Sequence, residues 1–394
     1  MTKISRQLAA AFPPPVMEAR AWAAAARLPA DLPLLNVSQA APVDPPPQEL
    51  RRAIADAALH DAAAHGYGPV LGLPALRAEI AAQWAARYRG RIAPDNVAIT
   101  SGCNQAFCAA VASLADAGEA VILPTPWYFN HKMWLDMAGV EARLLPCDAG
   151  MVPDPERAEG LIDARVKAIV LVTPNNPTGA EYPAGVIAAF ADLARRHGIA
   201  LILDETYRDF HSADGAPHGL FAGDWQDVLI HLYSFSKVFR LTGHRVGAMI
   251  CGAERLAEIE KFLDTMTICP NQLGQRAALF GLQHLGDWVA AERAEILRRR
   301  DAVRRAFAGL DGWRLLGLGA YFAYLEHPWQ APSDRIAQRL VAEAGVLLLP
   351  GTMFAPKASA GGDGSAERQL RIAFANADTD GIDALAARLR GFAT

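Results

Sequence analysis

The chain predicts an α/β fold: a mostly parallel seven-stranded sheet covered by helices, with a smaller α/β part beside it. Three observations carry this. Apolar runs of buried-strand length recur at Val97, Ala120, Ala142, Ala168, Ala200, Val228 and Arg245, separated by alanine-rich, helix-length stretches. Several runs end in polar or ionisable residues, and on a parallel sheet ligands bind outside the carboxyl ends of the strands. With 394 residues, 52% of them hydrophobic, the chain is too long for one ordinary core and has ample apolar content for two.

Taken in order, Lys3 and Arg6 precede a short apolar run that Pro13, Pro14 and Pro15 break, so neither a signal peptide nor a membrane span is expected there. Pro42-Val43-Asp44-Pro45-Pro46-Pro47 reads as a stiff connector. Residues 46–289 are assigned to the large domain, and 1–45 together with 290–394 to the small one. Glu49 to His65 reads as an alanine-rich helix, and the glycines after it are spaced Gly-x-Gly-x-x-x-Gly. A dinucleotide fingerprint needs a strand before it and a different spacing, so that reading fails. A charged helix is expected from Trp288 to Phe307, then strands in Gly319–Leu325 and Leu370–Ala375. Pro356 to Glu367, rich in Gly, Ser and Ala, reads as a mobile surface loop.

Three strand ends carry chemistry. Ala168-Ile169-Val170-Leu171-Val172 runs into Thr173-Pro174-Asn175-Asn176-Pro177-Thr178-Gly179, a rigid turn presenting the Asn176 amide. Ala200-Leu201-Ile202-Leu203-Asp204 ends in an acid, with Tyr207 three residues later. Asp204 is either a helix N-cap or a carboxylate able to keep a pyridine nitrogen protonated; Tyr207 can hydrogen-bond a ring hydroxyl. In Ser234-Phe235-Ser236-Lys237, with Arg245 eight residues on, an amine sits among groups that can hold a phosphate. A Ser/Lys/Arg cluster alone is more often solvated surface, but an amine, an anion site and a carboxylate together are what pyridoxal 5'-phosphate requires.

On these motifs the chain resembles, over nearly its whole length, the fold type I pyridoxal-phosphate enzymes, specifically the class I/II aminotransferases. The resemblance implies Lys237 as the internal aldimine and proton shuttle, Asp204 under the pyridine nitrogen, Asn176 and Tyr207 on the ring oxygen, and Arg245, Ser234 and Ser236 toward the phosphate. It also implies Gly102, Cys103 and Asn104, opening a helix after the Val97 strand, as a phosphate cradle of backbone N–H groups. Tyr128 would stack on the cofactor, and Arg371, in Leu370-Arg371-Ile372-Ala373, would clamp the substrate carboxylate unless it serves an internal salt bridge. Tyr67 is similar to the tyrosine that reaches the neighbouring subunit's site, which implies a homodimer. The activity implied is ping-pong transfer of an amino group between an L-amino acid and a 2-oxo acid.

Two departures stand out. His244 replaces a common tryptophan and Arg240 a common small residue; each either packs or contacts substrate or cofactor. Phe262 to Gln272 has no Lys or Arg, where dicarboxylate-selective relatives carry an arginine, so a neutral or aromatic donor is favoured. The same fold also serves beta-lyases, synthases and oxidases, and a regulator domain that binds the cofactor without turnover is the weaker alternative. The first 45 residues are too short and too weakly basic for such a regulator's DNA-binding domain. With net charge -4 and no basic tract, small molecules and a second subunit are the expected partners, not nucleic acid or membrane. Scattered histidines with no paired Cys-x-x-Cys argue against a metal site. Five cysteines, Cys103, Cys108, Cys147, Cys251 and Cys269, read as buried free thiols in a reducing cytoplasm.

Overall fold

A computed structural model describes residues 2–392. Its strands are β1 (Leu35–Asn36), β2 (Val97–Thr100), β3 (Ala120–Thr125), β4 (Glu141–Pro146), β5 (Val166–Val172), β6 (Ala200–Asp204), β7 (Leu229–Ser234), β8 (Gly247–Ile250), β9 (Arg314–Gly319), β10 (Phe322–Glu326), β11 (Val346–Leu347), β12 (Leu349–Pro350) and β13 (Gln369–Ala373). The seven-stranded sheet has the order β2-β8-β7-β6-β5-β3-β4. Only β8 runs against its neighbours, pairing antiparallel with both β2 and β7. Strands β6 and β7 are buried along their whole length, as helices on both faces of a parallel sheet require, whereas edge strand β4 is half exposed.

The helices repeat one pattern. Ala184–His197 buries Ile187, Phe190, Ala191, Leu193 and Ala194 on one stripe, carries Arg195, Arg196 and His197 in its last turn, and stops at Gly198 with φ 63°. One expectation shifts: the run at Arg245 becomes strand only at Gly247, because Arg245 itself holds a left-handed conformation, φ 53° and ψ 63°, that a strand cannot contain. That keeps Arg245 off the sheet and in the turn at its edge.

The smaller sheet is four-stranded and antiparallel, β12-β13-β10-β9, and β1 pairs with β11 to tie the N-terminal arm to it. The Ala373 amide adds a bond to Val37 O at 2.8 Å. Helices Gly286–Ala308, Ser333–Glu343 and Thr379–Gly391 accompany this sheet, and a hydrophobic cluster around Phe322, Ile336 and Ile382 is separate from the one around the large sheet. The two sheets meet through glycines. A Cβ on Gly179, whose φ is 75°, would lie 2.4 Å from Gly319 N, and one on Gly319 would lie 2.3 Å from Gly179 O. Residues 356–367 form two short 3-10 turns and are tied down by Lys357 to Asp334 at 2.7 Å and by the buried Ala366, whose carbonyl accepts from Ser333 at 2.9 Å. All five cysteines are free, but only Cys103 and Cys251 are fully buried; Cys108, Cys147 and Cys269 are half-buried. Among the described residues no helix is long and apolar enough to cross a membrane.

Candidate active site

The carboxyl edge of the large sheet faces Arg371 of β13 across a cavity of about 200 Å³. Asp204 ends β6 with its side chain 97% buried. One carboxylate oxygen accepts the Thr206 amide at 2.9 Å, a local turn that pins the side chain where it lines the cavity; the short helix that follows, Arg208–Phe210, starts from Tyr207, so Asp204 is not its N-cap. The other oxygen stands 3.5 Å from His131 Nε2, and His131 stacks on Phe107 with ring centres 3.8 Å apart. Burial pushes the Asp204 carboxyl up, but His131 and the Thr206 donors outweigh it and hold Asp204 below the usual carboxylate range. A buried, ionised carboxylate lacking a full cation partner is ready for a positively charged ring nitrogen.

Asn175 and Asn176 divide the labour of the turn after β5. The Asn175 side chain staples the turn: its carbonyl oxygen accepts from Thr178 N at 3.0 Å and Thr178 Oγ1 at 2.9 Å, and its amide donates to Tyr182 Oη at 3.0 Å. This leaves Asn176, 7% exposed, to line the cavity. Its carbonyl oxygen accepts from Arg371 Nη1 at 3.1 Å, which frees its NH₂ to donate elsewhere.

Arg371 lies mid-strand in β13, opposite Tyr324 and Leu349, and is 2% exposed. Its Nη2 donates to Ser38 O, its Nε has no acceptor, and among the described residues no carboxylate pairs with it. The internal salt bridge is therefore not what holds it. Burial lowers its pKa to about 10, against the opposing pull of Tyr207, Tyr128 and Tyr324, so the guanidinium stays charged at neutral pH.

Lys237 belongs to the helical turn Phe235–Val238, which Ser234 caps by accepting the Ser236 amide at 3.3 Å. Its amine donates to Ala40 O at 2.5 Å. Burial first, then the charges of Arg245 and Arg371, push the amine down to about 8. An amine so poised sheds its proton near neutrality and can attack an aldehyde.

At the other end of the cavity, Arg245 is exposed and pairs with no carboxylate among the described residues; its Nη1 reaches Thr242 O at 3.0 Å and Ser236 Oγ at 3.4 Å. The helix Cys103–Ala112 opens here with no side-chain cap, leaving its first N–H groups unpaired, as at an anion-binding helix start. A Cβ on Gly102, φ 87°, would come 2.2 Å from Arg245 Nη2, so only glycine lets the cation and the helix start approach each other. Anion donors at one end, an ionised carboxylate at the other and an amine between them fit pyridoxal 5'-phosphate.

The cavity thus brings together Cys103, Asn104, Tyr128, Asn176, Asp204, Tyr207, Ser234, Ser236, Lys237, Arg245 and Arg371, with Gly102 at its rim. Tyr128 donates to Asn104 Oδ1 at 3.3 Å, and burial pushes the phenols of Tyr128 and Tyr207 up, so both stay protonated. Tyr67 lies elsewhere, 83% exposed beside Cys269 and Gln272. Sequence reasoning missed His131, Thr206 and the N-terminal contributors Val16, Gln39 and Ala40. Thr206 was findable as the residue two beyond a turn-forming Asp; a lone His in an apolar helix offered no signal. Arg240 is engaged structurally, 2.7 Å from Glu292 and 3.3 Å from Asp44, and among the described residues no such partner holds His244.

Residues 33–389 match the family "Aminotransferase class I and II". An aspartate/prephenate aminotransferase of Thermus thermophilus is 32% identical over 307 residues, 73% of this chain and 76% of that protein. The aromatic aminotransferase ISS1 of Arabidopsis thaliana is 30% identical over 335 residues, 82% of this chain and 81% of that one. A solved aspartate aminotransferase from Thermus thermophilus with maleate aligns at TM-score 0.88, 25% identity and 99% of each chain. With a site shaped for pyridoxal 5'-phosphate and matches of this extent, the chain belongs to the class I and II aminotransferases and is a pyridoxal-phosphate-dependent enzyme of that family.

Proposed function

We propose that this aminotransferase takes a neutral or aromatic L-amino acid as donor, with each cavity residue in a distinct role. The carrying observation is the charge pattern. Among the described residues the cavity is lined by three cations, Lys237, Arg245 and Arg371, and its lining also offers the donor side chain Val16, Ala40 and Phe129. One buried arginine suits the α-carboxylate common to all donors, and an apolar wall suits an uncharged side chain. The absence of Lys or Arg from Phe262 to Gln272 points the same way. The names of the relatives cover both aromatic and aspartate substrates and do not choose between them.

When bound, pyridoxal 5'-phosphate supplies an aldehyde and an electron-accepting ring. In this reading Lys237 would be the residue that holds that aldehyde, and its amine would move the proton of the donor Cα. Its depressed pKa suits both tasks. Asp204, oriented by Thr206 and His131, holds the proton on the ring nitrogen. Asn176 and Tyr207 would donate to the ring oxygen, and Tyr128 would pack on the ring. Arg245, Ser234, Ser236 and the start of the helix at Gly102, Cys103 and Asn104 hold the phosphate. Arg371 would fix the carboxylate and so help orient the donor for proton transfer.

A homodimer belongs to the same proposal. Tyr67, an aromatic side chain 83% exposed, is the kind of surface a second copy would cover. Tyr67 would then act in the neighbouring site. A cytoplasmic location rests on the five unpaired cysteines. The deciding experiment mixes the holoenzyme with single amino acids and no 2-oxo acid, following the visible spectrum and products. One equivalent of 2-oxo acid from leucine or phenylalanine, with little from aspartate, is expected. A large preference for aspartate refutes the donor class, and continued ammonia release without an acceptor refutes transfer.

A further inference from the structure

Strands β6 and β7 lead into two halves of the site: Asp204 and Tyr207 at the end of one, Ser234 and Lys237 at the end of the other. Their backbone pairing stops short of both. The Glu205 amide donates to Leu232 O at 2.9 Å, and among the described residues no backbone bond joins the two segments beyond it. From there the chain after β6 turns away through the short helix Arg208–Phe210.

Two carboxylates continue the connection where the ladder ends. His231 and Tyr233 are two apart on β7 and so share one face of the sheet. Glu205 accepts from His231 Nε2 at 2.7 Å, and Asp209 accepts from the Tyr233 hydroxyl at 2.5 Å. Both acids are buried, and they bracket Tyr207 in the chain. Glu205 also accepts the Tyr88 hydroxyl and faces His218 Nε2 at 3.4 Å; His218 Nδ1 accepts the Leu220 amide at 3.2 Å, which keeps the ring proton on Nε2. Asp209 is further held by Arg87 at 3.3 Å and Arg208 at 3.4 Å. Burial pushes both carboxyls up, but His218 and His231 hold Glu205 well below the usual carboxylate range, and Arg208 and Arg87 hold Asp209 below it. Both therefore accept as anions, which makes these bonds stronger than neutral ones. Tyr207 itself is less firmly held. Its ring rests on Tyr321 and Phe322, with centres 5.4 and 5.1 Å away, and its hydroxyl donates to no described residue. Its direction is therefore set by its backbone and ring packing.

We propose that Glu205 and Asp209 are positioning residues, a two-point splint from the Asp204–Asp209 segment to β7 that fixes the aim of the Tyr207 hydroxyl relative to the Lys237 turn. Tyr233 directly precedes Ser234, so the splint grips β7 immediately before the residues that face the phosphate and the aldehyde. The inference rests on the proposed role of Tyr207 toward the ring oxygen.

The test follows the pH titration of the visible cofactor band in the holoenzyme, with thermal unfolding as the measure of the fold. A hydroxyl donating to the ring oxygen stabilises its anionic form, so Tyr207→Phe should raise the titration midpoint by about one to two units. Tyr233→Phe cuts the Asp209 link to β7 while keeping the ring against Trp84 and Phe235. This variant and Glu205→Gln should each raise the midpoint by about half a unit, and neither should raise it further once Tyr207 is replaced by phenylalanine. Arg87→Met strips a partner from the same Asp209 without removing a bond to β7, and should leave the midpoint where it was. Splint variants with an unmoved midpoint overturn the proposal. Shifts that add in full to that of Tyr207→Phe, or that Arg87→Met reproduces, also overturn it, because they report general loosening. A Tyr207→Phe that moves nothing overturns the ring-oxygen role first, and the action of the splint on that oxygen with it.

Discussion

Replacing Arg371 with alanine tests the carboxylate clamp most directly. The guanidinium is 2% exposed, has no carboxylate partner among the described residues, and spends one N–H on Asn176 and one on Ser38 O. An incoming α-carboxylate would supply its countercharge. Hydrogen bonds to charged groups contribute about 1.5–3 kcal/mol each, and stripping one partner from a desolvated charge pair costs about 3–5 kcal/mol. At about 1.4 kcal/mol per tenfold, kcat/KM for the amino donor should fall by about two to four powers of ten. Single-turnover spectra with an amino acid and with the corresponding decarboxylated amine separate the clamp from general damage. In the variant the amino acid should lose its advantage over the amine, whose slow reaction should be nearly unchanged. A kcat/KM within tenfold of the parent enzyme, or equal losses with both compounds, refutes the clamp.

Lys237 gives a prediction in pH. Its folded-state pKa of about 8 lies below the ordinary lysine value, so between about 8 and 10.5 the unfolded chain holds the extra proton and stability of the apoenzyme rises with pH. Lys237→Met should accordingly stabilise the apoenzyme below pH 8, with the gain fading toward pH 10.5, as denaturant titrations across that range would show; a gain unchanged with pH would contradict it. His131→Leu removes the first of the groups that together outweigh the burial of Asp204, so the Asp204 pKa should rise and the acid limb of the pH–kcat/KM profile should move to higher pH. An unmoved limb would show that His131 does not act through Asp204. Gly102→Ala places a methyl group against Arg245 at a left-handed φ, and equilibrium dialysis should find weaker cofactor retention at near-normal fold stability. Arg240→Ala breaks a partly buried pair with Glu292 and an exposed one with Asp44, costing about 1 kcal/mol of stability in thermal unfolding with cofactor affinity and donor profile unchanged.

Much of this protein is determined by local sequence. Strand-length apolar runs set the strands of the large sheet, because a strand buried on both faces needs an uninterrupted apolar run, and every run but that of antiparallel β8 hands its last residue to the carboxyl edge. Asn176, Asp204 and Lys237 were therefore legible as site residues, each lying at or just beyond the end of such a run. Arg371 was legible because a lone charge inside an apolar strand demands a reason. What the sequence could not determine were contacts between distant segments. Lys237 reaches Ala40, 197 positions away, and Arg371 reaches Ser38, 333 positions away. His131 meets Asp204 only because its helix packs where β6 ends. Local pattern records which side of an element is apolar, and so which residues face inward. Which inward-facing residues touch depends on how the sheets, the N-terminal arm and the glycine-lined seam between Gly179 and Gly319 pack together, and that is decided by the tertiary structure.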